Sequence, residues 1–127
     1  MSGIYIYKGK AEPELFKGVK AMLAFGDYDG SLGIANTKHF TLDEARKGLE
    51  QLKRWVSTGA FGCVLLSGFI KALERGNSEH IKEWLSDHSS EPDFPTLILV
   101  SDEDSAPLSS LAKVVESRVE LEKILSI

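Results

Sequence analysis

Two runs constrain this chain most: "AFGCVLLSG" at residues 60–68 and "FPTLILVSDED" at residues 94–104. Each holds a short, nearly unbroken apolar core bounded by glycine, proline or acidic residues. A strand that is apolar on both faces needs cover on both faces, as in a parallel sheet flanked by helices. The stretch between and before them is helical by pattern, so the chain alternates strand and helix. Short connections of that kind give right-handed crossovers and a mainly parallel sheet. The expected fold is α/β, a three-layer sandwich with a central sheet of four to five strands.

The other elements follow from local signals. "GIYIYKG", residues 3–9, is β-branched and aromatic between two glycines and reads as a strand. Pro13 suits a first helical turn, and Leu15, Phe16, Val19, Met22 and Leu23 repeat at helical spacing, which predicts a helix ending near Gly26. The alternative for "GVKAMLAF", residues 18–25, is a strand whose carboxyl end delivers Asp27 into a loop. "SLGIAN", residues 31–36, reads as a short strand, with His39 in the loop that follows.

Thr41 and Glu44 form a capping-box pattern, in which the threonine oxygen accepts the Glu44 amide and the glutamate returns the bond. The helix it opens runs to about Thr58. Ala45, Leu49, Leu52, Trp55 and Val56 form its apolar stripe, and Gly59 suits a left-handed stop. "FIKALERG" and "NSEHIKEWLSDH" read as helices, the second capped by Asn77 or Ser78 with Ile81, Trp84 and Leu85 inward. "PLSSLAKVV", residues 107–115, is helical by Leu108, Leu111, Ala112 and Val115; the tail from Glu116 holds a strand, a helix, or both.

The 127 residues fit one domain, and no repeat or Pro/Gly/Ser linker divides them. No apolar run approaches the roughly 20 residues that span a bilayer, and the first residues lack the charged and apolar regions of a secretory signal. The lone Cys63 sits within an apolar run and reads as a small buried hydrophobe. A cytoplasmic protein without membrane attachment is expected. The net charge of −4 opposes nucleic-acid binding. Residues 1–60 carry nine basic against seven acidic side chains, whereas residues 61–127 carry six against twelve, so the second half suits a basic protein partner or a cation.

In a parallel sheet, ligands sit beyond the carboxyl ends of the strands, where the strand order switches direction. The expected ligand-binding residues are therefore Asp27, Asp29, Gly30 and Ser31 in "GDYDGS", Ser67 after the first apolar run, and Asp102 and Asp104 after the second. Asp and Gly also have local reasons to occupy a turn. An EF-hand loop is excluded, because the twelfth residue from Asp27 is Lys38 rather than glutamate. A Walker loop is excluded because no Gly-Lys-Ser/Thr follows the glycines. His80, Glu83 and Asp87 share a helix face with His88 beside it, which reads as a solvated face.

"MLAFGDYDGSL" resembles the first motif of the haloacid dehalogenase superfamily of phosphatases, a hydrophobic strand followed by Asp-x-Asp-Gly-Thr/Ser. The resemblance implies that Asp27 is a nucleophile forming an aspartyl-phosphate and that Asp29 is the general acid and base. It likewise implies Ser67 in the second motif, Lys71 or Lys82 in the third, and Asp102 or Asp104 at Mg²⁺ in the fourth. From "GDYDGSLG" onward the order of elements is also similar to the receiver-like stalk subunits of vacuolar-type rotary ATPases, which implies protein binding without catalysis.

The expectation taken forward is a non-catalytic interaction or regulatory module that binds a protein partner or a small ligand and needs no cofactor. Its alternative is a minimal Mg²⁺-dependent phosphohydrolase using Asp27 and Asp29. Tyr5, Tyr7 and Tyr28 are read as lining an accessible edge or pocket, and "IYIY" as an edge strand able to pair with a second copy in a homodimer.

Overall fold

The computed structural model describes residues 3–9, 11–27, 30, 32–75, 78–100, 108 and 110–125. Its elements in chain order are β1 (Gly3–Tyr7), β2 (Ala21–Phe25), β3 (Asn36–Phe40), α1 (Ala45–Thr58), β4 (Cys63–Ser67), α2 (Phe69–Arg75), α3 (Glu79–His88), β5 (Thr96–Val100), β6 (Ala112–Val115) and α4 (Arg118–Leu125). The strands form one six-stranded sheet in the order β3-β2-β4-β5-β1-β6. Every pairing among the described residues is parallel. The α/β architecture is as the sequence predicts, with six strands in place of four to five.

Alternation along each strand builds two cores. Ile4, Ile6, Leu23, Phe25, Val64, Leu66, Leu97 and Leu99 pack on one face against Leu49 and Leu52 of α1, Ile70 and Leu73 of α2, and Ile81 and Leu85 of α3. The residues between them, Tyr5, Tyr7, Met22, Ala24, Leu65 and Ile98, pack on the other face with Leu15, Phe16, Val19 and Ile34, and with Leu121 of α4. The period of two in the strands is what lets one sheet carry both layers. Right-handed crossovers account for the sorting: steps from β1 to β2 to β3 run one way along the sheet, and later steps run the other way, onto the opposite face.

Four sequence expectations are corrected. Residues 13–18 form turns rather than a helix, closed by Leu15 N–H to Glu12 C=O at 3.1 Å and Val19 N–H to Phe16 C=O at 2.9 Å. Residues 21–25 are then a strand, the alternative noted for that stretch. The helical spacing arises because Leu15, Phe16 and Val19 fold back onto the same core that receives Met22, while Leu23 points into the opposite one. Paired by β3 on one side and β4 on the other, all five residues of β2 are buried.

The strand expected at residues 31–36 lies instead at Asn36–Phe40, so His39 is a strand residue. It escaped notice because β3 is an edge: Asn36, Lys38 and His39 are exposed and supply no apolar alternation. The described residues of "PLSSLAKVV", 108 and 110–115, do not form the expected helix either. Leu111 N–H bonds Leu108 C=O at 2.9 Å in a turn, and Ala112–Val115 pairs with β1. Leu108 enters the first core and Val115 the second, two destinations that one helix face could not serve. Finally, β1 is no edge. It pairs with both β5 and β6, burying Tyr5 and Tyr7, so a homodimer built through "IYIY" would require opening the sheet.

The expected caps hold in part. The Glu44 carboxylate accepts the Thr41 N–H at 2.8 Å, the returning half of the capping box, but Glu44 itself occupies the N-cap and makes no side-chain bond to its helix. That bond, helped by Lys47 at 2.9 Å, holds the Glu44 carboxyl below its ordinary pKa. Gly59 closes α1 in the left-handed conformation at φ 63°, and the Ala60 N–H returns to Trp55 C=O at 3.2 Å. At the other end of the chain, Arg118 ties α4 to the 11–20 segment through Glu12 at 2.6 Å.

Candidate functional site

Because every strand is parallel, all carboxyl ends lie along one edge of the sheet. The connections leaving β2 and β4 run in opposite directions, as do those leaving β5 and β1, and such positions are where sheets of this kind bind ligands. Asp27 lies two residues beyond β2 and is exposed. Between them Gly26, at φ 80°, donates its N–H to Phe40 C=O at 2.8 Å, which extends the β2–β3 ladder by one rung. Leu42 closes over it, 3.2 Å from where a Cβ would stand. Gly30 is exposed in a left-handed turn at φ 78°, and its carbonyl accepts the Gly33 N–H at 3.1 Å.

Ser67 ends β4, half-buried, in register with Ala24 of β2 and Val100 of β5. Gly68 follows at φ 71°, and a Cβ there would stand 2.1 Å from the Phe25 carbonyl oxygen. The main chains leaving β2 and β4 thus touch at the switch point. This is a second requirement for glycine, beyond the backbone angle.

The structure therefore brings Asp27 and Ser67 to neighbouring strand ends. Asp29, Ser31, Asp102 and Asp104 lie outside the described residues. The strand that leads to Asp102 and Asp104, β5, stands on the far side of β4 from β2. That is two interstrand spacings, roughly 9–10 Å. Lys71 is exposed on α2, and Lys82 pairs with Glu79 at 3.7 Å on α3. Among the described residues no three His, Cys, Asp or Glu side chains are grouped to hold a metal ion.

Two cavities lie elsewhere. One of about 350 Å³ opens at the amino ends of β2, β4 and β5, lined by Lys20, Phe61, Cys63, Thr96 and Leu125. Burial pushes the Cys63 thiol up to about 11, so it is protonated and a poor nucleophile at neutral pH. The other, of about 150 Å³, lies where α1, α2 and α3 meet, and its polar lining is Asp43, Arg46, Arg75, Ser78 and His80. The sequence reading missed this second group, taking His80 for part of a solvated face. Its members come from three helices and a loop, so no local spacing links them, and only packing brings them together.

Neither a protein-family model, nor a curated protein, nor a solved structure matches the chain. No helix of the described residues is long and apolar enough to cross a membrane.

Proposed function

We propose that this chain is a non-catalytic binding module that presents the carboxyl edge of its sheet, around Asp27, Gly30 and Ser67, to a protein partner. The observation that carries the reading is the approach of Gly68 to the Phe25 carbonyl. That approach sets Asp27 and Ser67 at adjoining strand ends. The exposed Asp27 carboxylate at this position is suited to recognition from outside. The excess of acid in residues 61–127, twelve against six basic side chains, favours a partner with a basic face.

The test is quantitative affinity capture with three forms of the chain. Wild type is expected to retain a partner whose recovery falls at least about tenfold with Asp27→Lys, the loss of roughly 1.4 kcal/mol. Lys113→Glu, on the edge strand β6, should leave that recovery unchanged. Equal recovery by all three forms would remove the carboxyl edge from the reading.

A second reading has its own observation. Because β2 is a strand, an apolar strand does precede Asp27, with Ser67 on the adjacent strand, as the phosphatase resemblance requires. A Mg²⁺-dependent phosphohydrolase would hydrolyse p-nitrophenyl phosphate and lose that turnover in Asp27→Asn. Turnover with that dependence would replace the binding module; its absence from wild type would end the phosphatase reading.

A further inference from the structure

The cavity of about 350 Å³ opens at the amino ends of β2, β4 and β5, at the opposite edge of the sheet from Asp27 and Ser67. Lys20 immediately precedes β2, Gly62 immediately precedes β4, and Thr96 is the first residue of β5. The last turn of α4 closes the cavity with Ile124 and Leu125. Its walls come from both layers of the fold: Phe61 packs against the first core, and Cys63, Ile124 and Leu125 pack against the second. The hollow therefore lies where the two cores end, lined by half-buried apolar side chains.

The main chain around it is tied down. Thr96 N–H bonds Gly62 C=O at 2.9 Å, and Lys20 C=O accepts both the Asn36 N–H at 3.1 Å and the Asn36 side-chain amide at 3.0 Å. The Lys20 ammonium has no ion-pair partner among the described residues, and no other residue of the lining is charged. Two glycines keep the space open. Gly18 and Gly62 both line the cavity, and a Cβ at either would meet nothing within 4 Å. Neither has the left-handed backbone that would require glycine.

We infer that this cavity binds a small aliphatic monocarboxylate, with its hydrocarbon chain against Phe61, Cys63, Ile124 and Leu125 and its carboxylate on Lys20. The volume lies at the low end of the roughly 300–1,000 Å³ found for ligand pockets, which bounds the ligand to a short chain. One ammonium balances one negative charge. A phosphate monoester would bring close to two, and the second would be desolvated without a partner. Burial keeps the Cys63 thiol protonated, so it adds to the apolar wall and does not repel the carboxylate.

Titration of the full chain with octanoate and, separately, with octan-1-ol tests the site, read in ¹H–¹⁵N spectra at constant pH and ionic strength. Saturable shifts are expected at the amides of Lys20, Phe61, Cys63 and Leu125, with octanoate bound about tenfold tighter than the alcohol. Lys20→Gln should bring octanoate down to the alcohol's affinity. Gly62→Leu, which sets a side chain in the open space, should weaken both compounds at least about tenfold while melting like wild type. Gly18→Leu makes the same test at a second point of the wall. Linear, non-saturating shifts, equal affinity for the two compounds, or octanoate binding unchanged in Lys20→Gln would overturn the assignment. Undiminished binding in both glycine variants would overturn it as well.

Discussion

Phe25 shows how one side chain can dictate its neighbours' identities. Its ring stacks on Phe40 at 5.4 Å and leans on Phe69 at 5.5 Å, so it is held from two sides. A third neighbour, Gly48 on α1, is buried, and a Cβ there would stand 2.3 Å from the ring's Cζ. Alanine favours a helix over glycine by about 1 kcal/mol, which predicts a gain from Gly48→Ala if only the helix mattered. Overpacking a filled core costs about 1–3 kcal/mol, and here the ring has no free side to yield into. The packing term wins: Gly48→Ala should lower the stability measured by urea unfolding, and Gly48→Ala with Phe25→Leu should lose less than the two single changes summed. The sequence shows a glycine in a helix; only the packed ring explains it.

At the scale of elements, legibility followed the completeness of each local pattern. The strands β4 and β5 and the helix α1 were plain in sequence, because each carries its own complete pattern, either an unbroken apolar run or an amphipathic stripe with a glycine stop. The strands β2, β3 and β6 were not. Five apolar residues are too few to set period 2 apart from period 3.6, and the partner strands that decide between them are remote in sequence. A double-mutant test follows from β2. Met22 and Leu23, both essentially inaccessible, point into different cores, so Met22→Ala and Leu23→Ala should each cost about 2–5 kcal/mol. Because the sheet separates them, the costs should add to within about 0.5 kcal/mol in chemical denaturation. A large coupling would mean that they share one cavity.

For the whole molecule, the decisive placement is that of the amino-terminal strand. In chain order β1 precedes everything, yet in space it fills the gap between β5 and β6 and joins the last strand to the sheet. An interior strand has both rows of its backbone groups bonded, whereas an edge strand has one row free. In native-state hydrogen exchange, the amides of Ile4 to Tyr7 should therefore exchange only with global unfolding, while alternate amides of β3 exchange faster. Fast exchange across β1 would contradict its interior position. The candidate site shows a similar division. Asp27 and Ser67 could be picked out as polar residues after apolar runs, but their adjacency depends on β4 lying beside β2. The basic cavity between the three helices gave no sequence signal.

By itself the sequence determined the fold class, the two central strands, the amphipathic helix that covers them, and polar loops following the strands. Those properties reside in local patterns, and the hydrophobic effect acts on each pattern wherever it lies in the chain. Tertiary structure alone decided the order of the strands, the interior place of β1, the contact of Gly68 with the Phe25 carbonyl, and the meeting of Arg46, Arg75, Ser78 and His80. Each of these depends on pairing or packing between residues far apart in sequence, whose energy exists only once the whole sheet has formed.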